Sequence, residues 1–85
     1  MAKVTIYSTQ SCSYCIAAKA FLDGRGVAYE SIDVTDDPAA RAALVRRANG
    51  MRTVPQIFIG ERHIGGFTDM RALDQKGELE PLLKG

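Results

Sequence analysis

Apolar residues change their spacing several times along the chain, and each change marks an element. Lys3 to Ser8 is short and β-branched, the signature of a strand. The polar run Thr9-Gln10-Ser11 ends it, and an alanine-rich stretch from Ser13 to about Gly24 follows. Ala17, Ala20 and Phe21 fall there at i, i+3 and i+4, so the spacing predicts an amphipathic helix that stops in Asp23-Gly24-Arg25-Gly26. Val27 to Val34 alternates in part through Tyr29, Ile32 and Val34 and predicts a second strand. Asp37 is the expected N-cap of a second helix with Pro38 at its first position. Ala40, Ala43, Leu44 and Ala48 keep helical spacing until Asn49-Gly50.

In the second half, Gln56 to Ile59 and Arg62 to Ile64 are short apolar runs joined by Gly60-Glu61, which predicts a hairpin. Gly65-Gly66 closes the second of these strands. From Thr68, with Asp69 near the start and Met70 and Leu73 on the apolar side, a third helix is expected to run to Gly77. A short amphipathic tail, Glu78 to Gly85, follows. The order β-α-β-α-β-β-α predicts an α/β chain with a four-stranded mixed sheet flanked by helices, parallel strands first and an antiparallel pair after. That is the order of the thioredoxin-like fold. With 85 residues and no linker or repeat, one domain over residues 1–85 is expected.

Hydrophobic residues at 46% and charged residues at 25% form a globular balance that excludes a disordered or fibrous chain. Eleven Lys and Arg stand against ten Asp and Glu, a formal charge of +1, so neither a nucleic-acid footprint nor a polybasic membrane patch is expected. No apolar run has the length of a bilayer span and the first residues lack a signal-peptide pattern, so the expected location is cytoplasmic.

The two cysteines, Cys12 and Cys15, are separated by two residues. A bridge between them would close a tiny loop and make a poor structural staple. A structural zinc site needs four ligands, and the chain offers two Cys and one distant His, His63. A C-x-x-C pair that follows a strand and opens a helix points instead to redox work. Cys12, at the helix N-terminus, gains from unpaired N–H groups and the positive end of the helix dipole. Cys15, one turn on, is in reach to resolve a mixed disulfide. His63 has no nucleophile beside it in sequence and reads as a strand or surface histidine, Arg46 and Arg47 as a solvated helix face, and Phe67 as core.

Three segments, Cys12-Ser13-Tyr14-Cys15, Thr53-Val54-Pro55 and Gly65-Gly66 followed by Asp69, resemble the signature segments of the glutaredoxin family, in order and at family-like spacing. The resemblance spans essentially the whole chain and is to the dithiol branch. It implies a glutathione-dependent thiol–disulfide oxidoreductase that reduces protein–glutathione mixed disulfides and protein disulfides, with Cys12 as nucleophile and Cys15 as resolving thiol. It also implies a cis bond before Pro55 and a Val54 backbone that pairs with the cysteinyl part of glutathione like an added strand. Gly66 and the Thr68 N–H would receive the γ-glutamyl carboxylate, Asp69 would pair with its ammonium, and Tyr14 would line the groove. Thr53 and Arg52 complete the implied glutathione site. Arg52 is the candidate cation for the glycyl carboxylate, because Thr9 stands where many dithiol members carry Lys. The implied partners are glutathione and glutathionylated or disulfide-bearing proteins such as ribonucleotide reductase, met by a monomer.

Two alternatives accompany this reading. Ser13 stands where Pro is commonest in the family, and some members with Ser there hold a [2Fe–2S] cluster between two subunits. The first Cys of each subunit and the thiols of bound glutathione ligate it, which would make Cys12 a ligand in a cluster-binding dimer. The other is a redoxin fed by thioredoxin reductase and indifferent to glutathione, against which the Gly65-Gly66-x-x-Asp69 segment argues.

Overall fold

In the computed structural model, which describes residues 2–84, the first strand, β1 (Val4–Ser8), is buried along its whole length. It leads through a three-residue polar loop and Cys12 into α1 (Ser13–Gly24). The inward side of α1 is Cys15, Ala18 and Leu22, whereas Ala17 and Phe21 are half-buried and Ala20 is exposed. The helix is therefore rotated from the Ala17-Ala20-Phe21 stripe that spacing predicted. With alanine on nearly every side, the apolar pattern has no sharp direction, and packing chooses the buried side.

The second strand, β2, covers Glu30–Asp33 rather than the expected Val27 to Val34. The Val27 N–H still closes the end of α1, bonding to the Leu22 carbonyl at 3.0 Å, and ladder pairing begins at Thr5 opposite Glu30. Next comes α2 (Pro38–Arg47), capped as expected: the Asp37 carboxylate accepts from the Ala40 N–H at 3.0 Å. Asn49 and Gly50 end it at φ of 57° and 88°, left-handed values that Asn and Gly tolerate best.

The hairpin is β3 (Gln56–Ile59) and β4 (Arg62–Gly65). The third helix, α3 (Phe67–Gln75), starts one residue earlier than expected. The tail is itself a helix, α4 (Leu79–Lys84), which buries Leu79 and Leu83. The sheet runs β2-β1-β3-β4, with β1–β2 parallel and the other two pairings antiparallel.

Because side chains alternate across a strand, the sheet splits its core in two. Val4, Ile6, Ile57 and Ile59 face Ala18, Leu22, Met70, Leu79 and Leu83 from α1, α3 and α4. Tyr7, Phe58 and Val34 face Leu44 and Ala48 at α2. Burying a side chain the size of Leu22 contributes roughly 1.5–3 kcal/mol. Arg46 and Arg47 are exposed, as expected of a solvated helix face, and Arg47 makes contacts from there: its guanidinium lies 4.3 Å from the Phe58 ring centre and its Nη1 donates to the Tyr7 hydroxyl at 2.9 Å, so it roofs the α2 side. Among the described residues no helix is long and apolar enough to cross a membrane.

Candidate active site

Cys12 is the N-cap of α1, in extended conformation at φ −94°, ψ 111°, and its Sγ accepts the Cys15 N–H at 3.1 Å. The cap that Ser or Asp usually supplies is here a sulfur. Negative charge arriving on Sγ as a disulfide breaks meets that N–H directly. Sγ also lies 3.6 Å from the Val54 carbonyl, to which its proton can be donated. Cys12 is half-buried and reachable, whereas Cys15 is 1% exposed behind it. Burial pushes the Cys15 thiol up to about 11, and the hydrogen bond with Cys12 adds to the rise. A backbone hydrogen bond from Thr9 and the charge of Lys19, one turn further along α1, pull the other way. Lys19 had no place in the sequence reading, although its spacing of four from Cys15 sets it one turn away.

The second segment arrives beside this pair. The Val54–Pro55 bond is cis, as expected. Thr53 presents both its carbonyl and its hydroxyl to the Gln56 side-chain amide, at 3.0 and 3.1 Å. The far side of that amide, Oε1, lies 2.6 Å from His63 Nε2. Gln56 was legible in the sequence only as the one polar residue of the run Gln56-Ile57-Phe58-Ile59.

The third segment turns the chain from β4 into α3. Gly65 sits at φ +112°, and a Cβ there would lie 2.5 Å from Asp69 Oδ2. The Asp69 carboxylate in turn accepts the Gly66 N–H at 2.8 Å, half of a capping box at the start of α3. A Cβ on Gly66 would meet only ordinary contacts, 3.7 Å from Asp69 Oδ2 and the Pro55 carbonyl. Of the Gly65-Gly66 pair, Gly65 is thus the position that excludes a side chain.

Tyr14, Pro55, Gly66, Phe67 and Thr68 line one groove of about 290 Å³. Phe67, expected in the core, is half-buried: its ring packs edge-on against Phe21 and forms a groove wall with Tyr14. Tyr14 is 60% exposed, and Ile16 beside it is 63% exposed. Arg52 belongs to a different cavity, with Pro38, Arg41, Ala42 and Val45, and its carbonyl accepts from Arg41 Nη2 at 3.3 Å. His63 is half-buried on β4, consistent with a strand histidine. Among the described residues no three His, Cys, Asp or Glu side chains converge as a metal-ligand set, so a cluster at Cys12 would draw its other ligands from outside the chain.

The glutaredoxin family model matches residues 4–64. The chain is 46% identical to glutaredoxin 3 of Escherichia coli (strain K12) over 84 residues, 99% of this chain and 100% of that protein. Its structure is similar to the solution structure of glutaredoxin from Brucella melitensis, with a TM-score of 0.85 and 44% identity over 99% of this chain and 90% of that one. It is also similar to the buckwheat glutaredoxin–glutathione complex, with a TM-score of 0.86 and 34% identity over 95% of this chain and 76% of that one. Cysteine pair, sheet order and likeness along the full length agree: the chain belongs to the glutaredoxin family, thiol–disulfide oxidoreductases of thioredoxin-like fold.

Proposed function

We propose that this glutaredoxin, as one domain over residues 1–85, reduces protein–glutathione mixed disulfides and protein disulfides with glutathione as its reductant. The observation that carries the reading is the asymmetry of the cysteines: Cys12 at the mouth with an N–H on its sulfur, and Cys15 buried one turn behind. In the first step the Cys12 thiolate attacks the glutathionyl sulfur, a Cys12–glutathione S–S bond forms as the S–S bond of the mixed disulfide breaks, and the protein thiolate leaves and takes a proton. A second glutathione thiolate then attacks the glutathionyl sulfur on Cys12. Glutathione disulfide leaves and Cys12 is again a thiolate. Two glutathionyl groups have become one disulfide, and the two electrons have gone to the protein thiol. In the dithiol branch Cys15 loses its proton and attacks Cys12, releasing glutathione and forming a Cys12–Cys15 disulfide. Reduction of a protein disulfide runs through the same pair and also leaves a Cys12–Cys15 disulfide, which two glutathiones reduce back to the dithiol as they become glutathione disulfide; ribonucleotide reductase is among the proposed targets.

The glutathione site is proposed along the groove. The γ-glutamyl end goes to Gly66, the Thr68 N–H and Asp69, the cysteinyl backbone to Val54, and the glycyl end to the Thr53 side, with Arg52 as its cation. Tyr14 and Pro55 flank the sulfur. Support comes from the groove itself and from the buckwheat glutaredoxin, solved as a glutathione complex. The exposed Tyr14 and Ile16 suit a protein substrate that rests on the rim. The reaction needs a reduced glutathione pool, so the cytoplasm is the proposed compartment, and one copy suffices for the chemistry.

The test is a pair of variants assayed on a glutathionylated protein and on a protein disulfide. Cys12→Ser is expected to abolish both activities, and Cys15→Ser to keep deglutathionylation while losing disulfide reduction. Equal loss in both variants on both substrates would overturn the division of labour. Turnover of wild type undiminished without glutathione would overturn glutathione as reductant.

A further inference from the structure

Gln56 is fully buried in β3, at a position where an aliphatic residue would match its neighbours. Its amide is satisfied at both ends. Nε2 donates to the Thr53 carbonyl at 3.0 Å and the Thr53 hydroxyl at 3.1 Å, and Oε1 faces His63 Nε2 at 2.6 Å. With both amide hydrogens directed at Thr53, the end that meets His63 is an acceptor, so His63 carries a proton on Nε2. The His63 ring is itself held, stacked on Phe58 at 4.9 Å and 28°. A continuous line thus runs from the sheet, through Phe58, His63 and Gln56, to Thr53.

Thr53 immediately precedes Val54, whose carbonyl is 3.6 Å from Cys12 Sγ. Among the described residues neither Thr53 nor Val54 makes a backbone–backbone hydrogen bond. The segment facing the nucleophile is therefore tied to the sheet by the side chain of Gln56 rather than by a ladder. A buried amide with every hydrogen bond made is rigid, and it is costly to leave half-made.

We propose that Gln56 is a positioning residue for the reaction: clamped by His63, it holds the Thr53–Val54 segment at the height where the Val54 backbone meets the glutathionyl group that Cys12 attacks. The inference rests on the glutathione site proposed above and adds residues outside it. It acts on the grip of the substrate, not on the sulfur.

The experiment compares wild type with Gln56→Leu, His63→Leu and His63→Gln, using a glutathionylated peptide, iodoacetamide and ¹⁵N relaxation. For Gln56→Leu, losing these bonds is expected to raise KM about fivefold to tenfold with kcat within about twofold. Cys12 alkylation by iodoacetamide should stay at the wild-type rate. Order parameters at Thr53 and Val54 should fall from about 0.85 to below about 0.6. His63→Leu should shift KM the same way by about twofold to threefold. His63→Gln, whose amide can donate to Oε1, should bring KM back toward wild type. Should Gln56→Leu fail to fold, the His63 pair at the edge strand carries the comparison.

An unchanged KM in Gln56→Leu or, failing that, in His63→Leu would overturn the proposal. So would a KM rise accompanied by slower alkylation, which marks general distortion, or order parameters that stay at wild-type values. If wild type itself shows no saturable use of the glutathionylated peptide, the glutathione reading fails instead. The order parameters of the same variants then decide whether the clamp exists.

Discussion

The two faces of the sheet are built differently. Against α1, α3 and α4 the sheet sets Val4, Ile6, Ile57 and Ile59, which pack on Ala18, Leu22, Met70, Leu79 and Leu83 of the helices. Against α2 the buried apolar set is small, Tyr7, Val34, Leu44, Ala48 and Phe58. The remainder is closed by Arg47 lying on the aromatic rings and by the Gln56–His63 amide network. A single ten-residue helix does not cover a four-stranded sheet, so aromatic and polar side chains finish the job. Of these, Gln56 is the one that reaches the loop beside Cys12, through its two hydrogen bonds to Thr53. The three-helix face supplies most of the stability, and the one-helix face supplies the means of holding the active-site loop.

The largest expected effect tests that division. Leu22→Ala empties part of the three-helix core and should cost about 3 kcal/mol, whereas Leu44→Ala on the other face should cost about 2 kcal/mol. Urea unfolding measures both, and equal losses would erase the contrast. At the seam where β4 turns into α3, Gly65→Ala must fit a Cβ at φ +112° and 2.5 Å from Asp69 Oδ2, and should cost about 2 kcal/mol in thermal unfolding. Gly66→Ala, with contacts at 3.7 Å, should stay well below that. A larger loss at Gly66 would reverse the assignment of the position that excludes a side chain.

Cys15 belongs to the inward side of α1, and its burial carries a pH signature. With its thiol pushed up to about 11, the thiolate is the minor form at neutral pH, and its fraction rises tenfold for each unit of pH below that value. Burial, the largest cause of that rise, persists when Cys12 carries glutathione, so release of glutathione from the Cys12–glutathione mixed disulfide by Cys15 should accelerate steadily as pH rises from about 7 to 9. Stopped-flow detection of released glutathione reads this, and a flat profile would show that burial does not control the resolving step. The smallest effect belongs to the roof of the one-helix face. Arg47→Met keeps the chain length and removes the charge over Phe58 and the bond to Tyr7, for a loss of about 1 kcal/mol in urea unfolding. No change would show that the contacts of this exposed arginine with Phe58 and Tyr7 add nothing to the fold.

Much of this protein is local, and what is local was legible from the chain. The Cys12-x-x-Cys15 pair opening a helix, the Asp37 cap ahead of Pro38 and the Gly60-Glu61 hairpin all stand as expected. Each is a contact between residues within a few positions of one another, where capping chemistry, φ preference and side-chain period leave little choice. The rotation of α1, the late start of β2 and the stacking of Arg47 on Phe58 were decided by packing. An alanine-rich helix and a charged helix end do not say in sequence which surface they will meet. The same holds at the site. Sequence placed Cys12, Val54 and Gly65 in order along the chain, but only the folded sheet sets Val54 3.6 Å from the sulfur and Arg52 in a different cavity. It is also the sheet that turns Gln56 toward Thr53 and His63, because antiparallel pairing of β3 with β4 puts residues seven apart within hydrogen-bond reach, a distance no local pattern records.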